Sequence, residues 1–263
     1  MKKDLFASPN SVKSVSLIMP VYNEENSILG ALDSILKFSK ETYRIFSLQV
    51  IVVESNSTDS TKRKIDDWVK NVGVNQNYFN LNLIWQEKAN GKGSAVREGL
   101  KVAKGDVITI FDGDQEYDIN DLSVFVSEIE KGNSSFVLGN RHSSQKFFSI
   151  RTYPDQKKLE FLLNFGHWLL AFYMSILVKQ VLFDPFTMWK VYRREVFSNC
   201  NLRGNRFDFD WELVIKASRL GSSFVEIPCS YNSRDFKQGK KIKIMRDPIQ
   251  WIFKSIPYRF GKL

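Results

Sequence analysis

Residues 107–114 read Val-Ile-Thr-Ile-Phe-Asp-Gly-Asp, an apolar run that ends in two carboxylates. The run is short and rich in β-branched residues, which predicts a buried strand in the core of a sheet. Asp112 and Asp114 follow at the carboxyl end of this strand, where open α/β sheets bind their ligands. Because side chains two residues apart in an extended segment point to the same side, we expect the two carboxylates to converge.

Two carboxylates that are brought together repel each other unless a cation lies between them. Mg²⁺ and Mn²⁺ prefer oxygen ligands and keep positions open for the oxygens of a diphosphate. The pair Asp112 and Asp114 therefore predicts a divalent metal site. The alternative is a solvated acidic turn, which is common after strands.

Strand and helix signals alternate on both sides of this stretch. The strand-like segments are 15–19, 49–53, 81–85, 107–111 and 135–138, and the segments with helical spacing are 24–38, 58–72, 94–103 and 119–130. Residues 71–82 are rich in Asn and are interpreted as a polar loop. This alternation predicts an α/β fold with a mostly parallel, Rossmann-like central sheet flanked by helices.

The second half of the chain has a different pattern. Residues 157–183 form a long helical segment that falls short of the usual threshold for a membrane span, so we expect an interfacial or buried helix. The remaining predicted elements are a strand at 186–192, an amphipathic helix at 208–220, a short strand at 224–228 and a final amphipathic helix at 247–258.

Composition restricts the class of protein. The chain has 263 residues, of which 43% are hydrophobic and 25% charged, which predicts a folded domain and excludes a largely disordered chain. Cys200 and Cys229 form no CxxC pair, so a reduced, cytosolic setting is expected. No apolar segment follows Lys2 and Lys3, so no secretory signal is predicted.

The net charge of +9 is concentrated near the end of the chain. Residues 230–263 contain nine Lys or Arg against two Asp, interleaved with aromatic and aliphatic residues. A basic end indicates phosphate partners, and the interleaved apolar residues favour a membrane surface over nucleic acid. The alternative is a basic helix that docks on the protein through its aromatic face.

Several segments, taken in chain order, resemble family 2 glycosyltransferases with the GT-A fold. They are 15–26, 52–61, 91–99, 105–114, 137–141, 184–190, 207–212 and 230–242. The branch that they resemble most is the dolichyl- or polyprenyl-phosphate sugar synthases. The resemblance implies one GT-A domain over 1–263, with C-terminal amphipathic helices. A nucleotide-sugar-binding half would span about 13–140, an acceptor half about 141–242 and a basic tail 243–263.

The activity implied by the resemblance is inverting transfer of a sugar from a nucleotide-diphosphate sugar. The cofactor would be Mg²⁺ or Mn²⁺, and the acceptor a polyprenyl phosphate or a lipid-linked saccharide. The location would be peripheral, at the cytoplasmic face of a membrane. A soluble sugar hydroxyl in polysaccharide synthesis is the main alternative acceptor.

The predicted donor contacts come from the first two strands and their loops. Pro20 is expected to end the first strand because it lacks a donor. Tyr22 can cover a nucleobase, while Asn23 and Glu24 can hydrogen-bond the base or the ribose. The alternative for these residues is a helix N-terminus capped by Asn23. Glu54, at the end of the second strand, is a further candidate contact for the base or ribose.

Phosphate contacts are expected from Lys92 and Gly93, since glycine lets the backbone approach closely and lysine supplies charge. This segment does not match a Walker A loop. The element of Asp112, Gly113 and Asp114 would hold the donor diphosphate through the metal ion. The resemblance implies Glu116 as a third metal ligand.

The resemblance also supplies candidates for the acceptor side. Arg141 is expected to bind the donor diphosphate or the acceptor phosphate, with a surface salt bridge as the alternative. Arg234, Lys240 and Lys241 are expected to clamp phosphates in a segment that closes over bound donor.

A general base is expected among the acids of 207–212. Asp210 is the first choice and Asp208 the second, with a structural role for Glu212. The alternative for Asp208 and Asp210 is helix capping. A lipid phosphate acceptor is already ionised and needs no base.

Two rival functions remain open to the sequence. A sugar-nucleotidyltransferase needs a glycine-rich basic loop after the first strand, where this chain has Pro-Val-Tyr-Asn-Glu-Glu, residues 20–25. A non-catalytic membrane adaptor predicts no metal-dependent nucleotide binding. His142 and His167 have no neighbouring Cys at zinc-ligand spacing, so no zinc site is predicted.

Overall fold

The computed structural model describes residues 11–73, 75–76, 78–144, 150, 157–233 and 246–263. The strands are β1 (Ser14–Val21), β2 (Ser47–Glu54), β3 (Asn75–Gln76), β4 (Phe79–Trp85), β5 (Val107–Ile110), β6 (Phe136–Asn140), β7 (Lys190–Arg193) and β8 (Phe224–Pro228). The helices are α1 (Ile28–Thr42), α2 (Thr61–Val72), α3 (Lys92–Leu100), α4 (Asp121–Glu130), α5 (Lys157–Val178), α6 (Asp208–Leu220) and α7 (Arg246–Phe260).

The strands form one sheet in the order β3-β4-β2-β1-β5-β7-β6-β8. β4, β2, β1 and β5 are mutually parallel neighbours, and β8 runs parallel to β6. β7 lies antiparallel between β5 and β6, and β3 is antiparallel to β4 at the edge. The predicted α/β fold with a mostly parallel sheet is confirmed. Its parallel strands bring their carboxyl ends to one edge, which positions the site.

Helices cover both faces of the sheet. α1, α2 and α4 pack on one face in one hydrophobic cluster, and α3, α5, α6 and α7 contribute to a second cluster on the other face. The alternation of side chains along β1 divides the core in this way, because Leu17 and Met19 belong to the first cluster and Ile18 to the second.

Pro20 does not end β1, contrary to the prediction. The strand continues to Val21, and Pro20 lies opposite Val53 in the register with β2. The carbonyl of Ile18 faces β5 and that of Val21 faces β2, so the nitrogen of Pro20 is directed toward β5. β5 ends at Ile110, so no ladder hydrogen bond is lost at Pro20.

Two other expectations need correction. The Asn-rich segment 71–82 is not a continuous loop, since Asn75–Gln76 pairs with the start of β4 in a short hairpin. The strand predicted over 186–192 is limited to Lys190–Arg193. Residues 183–188 instead form turns and bends, and Met188 lines the large cavity at this edge of the sheet.

α5 is, within the described ranges, the helix that is long and apolar enough to cross a membrane by length and composition. The prediction that this segment falls short of the threshold is therefore wrong. Only 28% of its most apolar 18-residue window is buried. One side packs on the protein through Met174 and Val178, while Phe161, Phe165 and Phe172 are exposed.

Candidate active site

A cavity of about 1240 Å³ opens at the carboxyl edge of the sheet. One end is polar and is lined by Tyr22, Glu24, Lys92, Asp112, Gly113, Asp114, Glu116, Arg141 and Asp210. The other end is apolar and is lined by side chains of α5 and α7. The structure therefore brings most of the predicted donor, metal and acceptor residues to one space.

Asp112 is neutralised by a lysine from the start of α3. Lys92 Nζ lies 2.9 Å from Asp112 Oδ2, and both side chains are largely buried. Burial, together with the negative charge of Asp114, raises the pKa of Asp112, although Lys92 acts against this shift. Burial alone would lower the pKa of Lys92, but Asp112 and Asp210 raise it well above its usual value. The site therefore already contains a carboxylate that accepts a cation.

Asp210 lies between two lysines. Its carboxylate is 3.1 Å from Lys190 Nζ and 3.8 Å from Lys92 Nζ. Burial acts to raise the pKa of Asp210, but the two ammonium groups outweigh it and hold the pKa below its usual value. Lys190 is fully buried on β7 and also donates a hydrogen bond to the Thr187 carbonyl. Asp210 is therefore kept ionised and fixed in place.

The residues fit a divalent metal site that is completed by a substrate. Among the residues that the structure describes, no three His, Cys, Asp or Glu side chains are grouped closely enough to hold a metal ion by themselves. The predicted three-ligand set with Glu116 is therefore not preformed. Mg²⁺ in phosphate-transfer sites typically uses one or two carboxylates and takes its other ligands from water and phosphates. Asp112 and Asp114 satisfy that requirement beside a space large enough for a diphosphate.

Glu116 contacts a segment from the other half of the chain. Its Oε2 accepts a hydrogen bond of 3.1 Å from the Tyr231 hydroxyl, and its carbonyl accepts one of 2.8 Å from the Asn232 amide. The ring of Tyr231 also packs on Tyr117 at 5.0 Å between centroids. The loop that carries Asp112 and Asp114 is thus joined to the chain just before residue 234.

The loop after β1 is held by the loop after β2. The Asn23 amide donates to Ser57 Oγ at 2.9 Å, and Asn23 Oδ1 accepts from the Thr58 amide at 2.8 Å. Asn23 therefore joins two loops and does not cap α1, which begins only at Ile28. Tyr22 and Glu24 line the cavity, as the predicted donor contacts require.

Glu54 does not line the large cavity. It is 2% exposed, and its carboxylate accepts hydrogen bonds from the Asn56 amide at 3.0 Å and the Ser57 amide at 2.6 Å. The predicted contact with a base or ribose is replaced by a structural role, because both carboxylate oxygens shape the following turn. Ser55, the next residue, does line the cavity.

The glycines beside Lys92 make room for the protein's own backbone. A Cβ on Gly93 would lie 2.5 Å from the Gly204 carbonyl oxygen, and one on Gly91 would lie 2.6 Å from that of Asn205. Gly91 also has a φ of 95°, which disfavours other residues. Gly93 was predicted to approach a phosphate, but close packing of α3 on the 204–205 turn explains its presence.

Arg141 and Asp184 form a buried ion pair at the cavity wall. The Arg141 Nε and Nη2 atoms lie 2.7 and 2.6 Å from the two carboxylate oxygens of Asp184. Although burial acts to raise the pKa of Asp184, Arg141 holds it well below its usual range. The guanidinium also lies 5.1 Å from the ring centroid of Tyr231. Arg141 thus lines the cavity, and its ion pair is buried, unlike the surface salt bridge that was the alternative.

Two histidines that are distant in sequence meet behind Arg141. The Nε2 atoms of His142 and His167 are 3.3 Å apart, and His167 Nε2 is 3.7 Å from Asp184 Oδ1. Burial lowers the pKa of His167 to about 3, so the ring is neutral. Sequence reasoning missed this contact, since no spacing pattern relates a residue after β6 to one in the middle of α5.

The acids near Asp210 have structural roles. Asp208 accepts a hydrogen bond of 2.7 Å from the Tyr258 hydroxyl and lies 3.1 Å from Lys254 Nζ. Asp208 therefore links α6 to α7. It does not line the cavity, so the structure does not place this second choice of general base beside the site. Glu212 accepts hydrogen bonds from the amides at 203 and 204 and pairs with Lys216 at 2.7 Å, as its predicted structural role requires.

The predicted phosphate clamps Arg234, Lys240 and Lys241 lie outside the described residues. The chain reaches residue 233 beside the site, because the amides of Ser230 and Asn232 bond Asp121 and the Glu116 carbonyl. Their role stays a prediction.

Most of this chain, including residues of the candidate site, matches a known protein family. The sequence profile of the family named Glycosyl transferase family 2 matches residues 16–200. This chain belongs to glycosyl transferase family 2. The matched range includes Lys92, Asp112, Asp114 and Arg141, which line the polar end of the cavity. The chain is therefore a glycosyltransferase, as predicted.

Two curated family members illustrate the relationship. This glycosyltransferase is 27% identical over 241 residues to a dolichyl-phosphate beta-glucosyltransferase of Trichomonas vaginalis, covering 88% of this chain and 68% of that protein. It is 25% identical over 214 residues to a dodecaprenyl-phosphate galacturonate synthase of Rhizobium johnstonii, covering 80% of this chain and 58% of that protein.

Solved structures support the fold. Glucosyl-3-phosphoglycerate synthase of Mycobacterium tuberculosis, solved with Mn²⁺, UDP-glucose and phosphoglyceric acid, matches with a TM-score of 0.62 at 18% identity. The match covers 94% of this chain and 79% of that one. Mannosyl-3-phosphoglycerate synthase of Rubrobacter xylanophilus matches with the same TM-score at 17% identity, over 94% of this chain and 74% of that one. The GT-A fold predicted for this glycosyltransferase is confirmed.

Proposed function

We propose that this glycosyltransferase transfers a sugar, with inversion, from a nucleotide-diphosphate sugar to the phosphate of a polyprenyl phosphate at a membrane surface. The observation that carries the proposal is that one cavity contains Lys92, Asp112 and Arg141 and also has an apolar part lined by α5 and α7. An acceptor with an ionised head and a hydrocarbon tail matches both ends. The names of the Trichomonas and Rhizobium relatives, which specify dolichyl and dodecaprenyl phosphate, support the same acceptor class.

The donor half is proposed to span about 13–140. Tyr22 and Glu24 would contact the nucleoside, and Asp112 and Asp114 would hold Mg²⁺ or Mn²⁺ against the diphosphate. When bound, the metal ion neutralises charge on the leaving diphosphate. Lys92, which pairs with Asp112 in this structure, would supply a second positive charge at the same place.

The acceptor half is proposed to span about 141–242. Arg141 presents a guanidinium that is already oriented by Asp184, which suits a planar contact with a phosphate oxygen. The acceptor would attack the anomeric carbon on the face opposite the leaving diphosphate, so the configuration inverts. Tyr231 and Asn232, which hydrogen-bond Glu116, come shortly before Arg234, Lys240 and Lys241 in the sequence, and this supports the clamping role proposed for those three residues.

A saccharide hydroxyl is the second candidate acceptor. The buried carboxylate of Asp210 lines the cavity where a base would be needed. A relative in Escherichia coli, 27% identical over 186 residues and covering 70% of this chain and 67% of that protein, is named as a beta-1,3-glucosyltransferase acting on a diphosphoundecaprenol-linked sugar. A hydroxyl acceptor requires Asp210 as a base, whereas a phosphate acceptor does not.

We expect Asp210→Asn to slow transfer to polyprenyl phosphate by less than about tenfold. A phosphate nucleophile is already ionised, whereas a placed base for a hydroxyl typically contributes ~10²–10⁴-fold. Asn preserves an oxygen for Lys190, and thermal unfolding checks that the variant is folded. The assay measures product on polyprenyl phosphate against a panel of saccharides. A loss of more than about 10²-fold in a folded variant, with transfer by the wild type to a saccharide, would assign a hydroxyl acceptor.

The membrane surface is proposed to contact α5, α7 and the basic tail 243–263. α7 exposes Ile249, Phe253, Ile256 and Phe260 beside Lys254 and Arg259. The exposed side of α5 adds three further phenylalanines, Phe161, Phe165 and Phe172. Apolar residues next to basic ones are typical of helices that lie in the membrane interface. The cytoplasmic face is proposed from the cysteine usage and the nucleotide donor.

We expect the protein to sediment with anionic vesicles at low salt and to be released at high salt. Each basic residue near an anionic surface contributes on the order of 1 kcal/mol, and salt screens this attraction. Sedimentation with neutral and anionic vesicles over a range of salt concentrations measures the effect. Equal binding to both vesicle types at all salt concentrations would contradict an electrostatic contribution.

A further inference from the structure

The apolar end of the cavity has a built aromatic wall. The rings of Phe186 and Trp211 stack with centroids 4.9 Å apart and an interplanar angle of 23°. Trp251 of α7 and Tyr173 of α5 each lie 6.1 Å from Trp211. All four side chains line the cavity, and Trp211 directly follows Asp210 in the sequence. The aromatic wall and the charged groups thus belong to the same cavity.

Beyond this wall the cavity runs between α5 and α7. The two helices are tied together by a hydrogen bond of 2.9 Å between the Tyr173 hydroxyl and Ser255 Oγ. Leu162 and Leu169 of α5 and Ile249 and Ile252 of α7 line this part, which we name the α5–α7 groove. Apart from Tyr173 and Trp251, the side chains that these helices contribute to the groove are mainly aliphatic, which suits a hydrocarbon and offers little to a sugar.

The groove opens on the apolar outer face of the protein. Leu162, Leu169 and Ile249 line the cavity, yet they are 55%, 54% and 56% exposed. Leu162 and Leu169 lie on α5 together with the exposed Phe161 and Phe165. A hydrocarbon chain can therefore follow these exposed apolar side chains from the groove to the outer face of the protein.

We propose that the α5–α7 groove and its aromatic wall bind the first isoprene units of the acceptor. The protein itself then recognises the hydrocarbon, in addition to the membrane that holds it. This inference rests on the proposed function, since it requires an acceptor whose phosphate reaches Arg141. The continuity of the groove with the site of Asp112 and Arg141 identifies the occupant as an amphiphile with an anionic head. A peptide or a second copy of the chain would not account for that continuity.

The consequence is discrimination by chain length in the absence of a membrane. The probes are dimethylallyl, geranyl and farnesyl monophosphates, with five, ten and fifteen carbons, used as soluble acceptors without vesicles or detergent. Burying each added isoprene removes apolar area from water, so kcat/KM should rise at least about tenfold from five to fifteen carbons. If the enzyme transfers sugar to all three acceptors with equal kcat/KM, the groove proposal is wrong, whereas the proposed function is still supported.

A matched pair of variants separates the groove from the outer face. Leu162→Asn combined with Ile249→Asn changes two exposed residues that line the groove, so folding is little affected. Phe172→Asn changes an α5 residue that is 68% exposed and does not line the cavity. The groove variant should reduce the ratio of kcat/KM for fifteen against five carbons to below about threefold, whereas Phe172→Asn should leave the ratio unchanged. The same ratio in all three proteins would contradict the proposal.

Binding supplies a readout that does not depend on transfer. Farnesyl phosphate should change the tryptophan fluorescence at lower concentration than dimethylallyl phosphate, and Trp251→Phe should remove much of the signal. If no prenyl phosphate, short or long, accepts sugar, the proposed function fails. In that case, binding that strengthens with chain length would still support the groove proposal. Binding that does not depend on chain length would contradict the groove proposal too.

Discussion

Asp114→Asn is expected to abolish metal-dependent sugar transfer while the protein stays folded. The variant removes one of the two carboxylates proposed to hold the metal ion, and loss of charge stabilisation at a leaving group costs on the order of 10²–10³-fold or more. Asn can still accept the 3.1 Å hydrogen bond that Asp114 Oδ1 receives from the Glu116 amide, so the turn is preserved. Transfer is measured over a range of Mn²⁺ and Mg²⁺ concentrations, with and without excess chelator.

The matched control is Asp118→Asn in the same loop. Asp118 Oδ1 accepts a 3.0 Å hydrogen bond from the Asn120 amide, which Asn also permits, and the residue does not line the large cavity. We expect this control to retain activity. Full activity of Asp114→Asn, or of the wild type in excess chelator, would contradict the metal assignment.

Arg141→Ala is expected to lose transfer and also stability. The substitution leaves the carboxylate of Asp184, which is 0% exposed, without its partner. Breaking a buried ion pair in this way typically lowers the free energy of unfolding by about 3–5 kcal/mol. Urea unfolding measures that loss, and activity is measured at a temperature where the variant remains folded.

A double variant separates the two roles of Arg141. Arg141→Ala with Asp184→Asn removes the uncompensated charge, so the free energy of unfolding should recover in large part. Transfer should not recover, because the guanidinium proposed to bind phosphate is still missing. Transfer near the wild-type rate in the double variant would show that Arg141 serves only as a structural ion pair.

The sheet could be predicted because its strands carry a strong signal. Parallel strands that are covered on both faces are continuous apolar runs, so the segment predicted at 15–19 lies within Ser14–Val21 and that at 49–53 within Ser47–Glu54. Topology then brings the ends of these strands to one edge. Asp112, Lys92 and Asp210 meet there although they come from distant parts of the chain.

Side-chain partners could not be predicted in the same way. Lys190 contacts Asp210 because β7 lies antiparallel between β5 and β6. No periodicity in the sequence predicts that position of β7. Glu54 and Gly93 carry residue types that suit a ligand site, yet both serve the protein's own backbone. A carboxylate that satisfies a turn and one that meets a substrate look the same in sequence, since only burial and geometry separate them.

Product analysis with a labelled nucleotide-sugar panel shows whether the protein transfers a sugar to the phosphate of a polyprenyl phosphate. The protein is incubated with polyprenyl phosphate in anionic vesicles and Mn²⁺, and the lipid fraction is examined for sugar attached to the phosphate with inverted configuration. We expect one such product, and we expect excess chelator to suppress it. Sugar appearing only on a saccharide hydroxyl, or transfer unaffected by chelator, would contradict it.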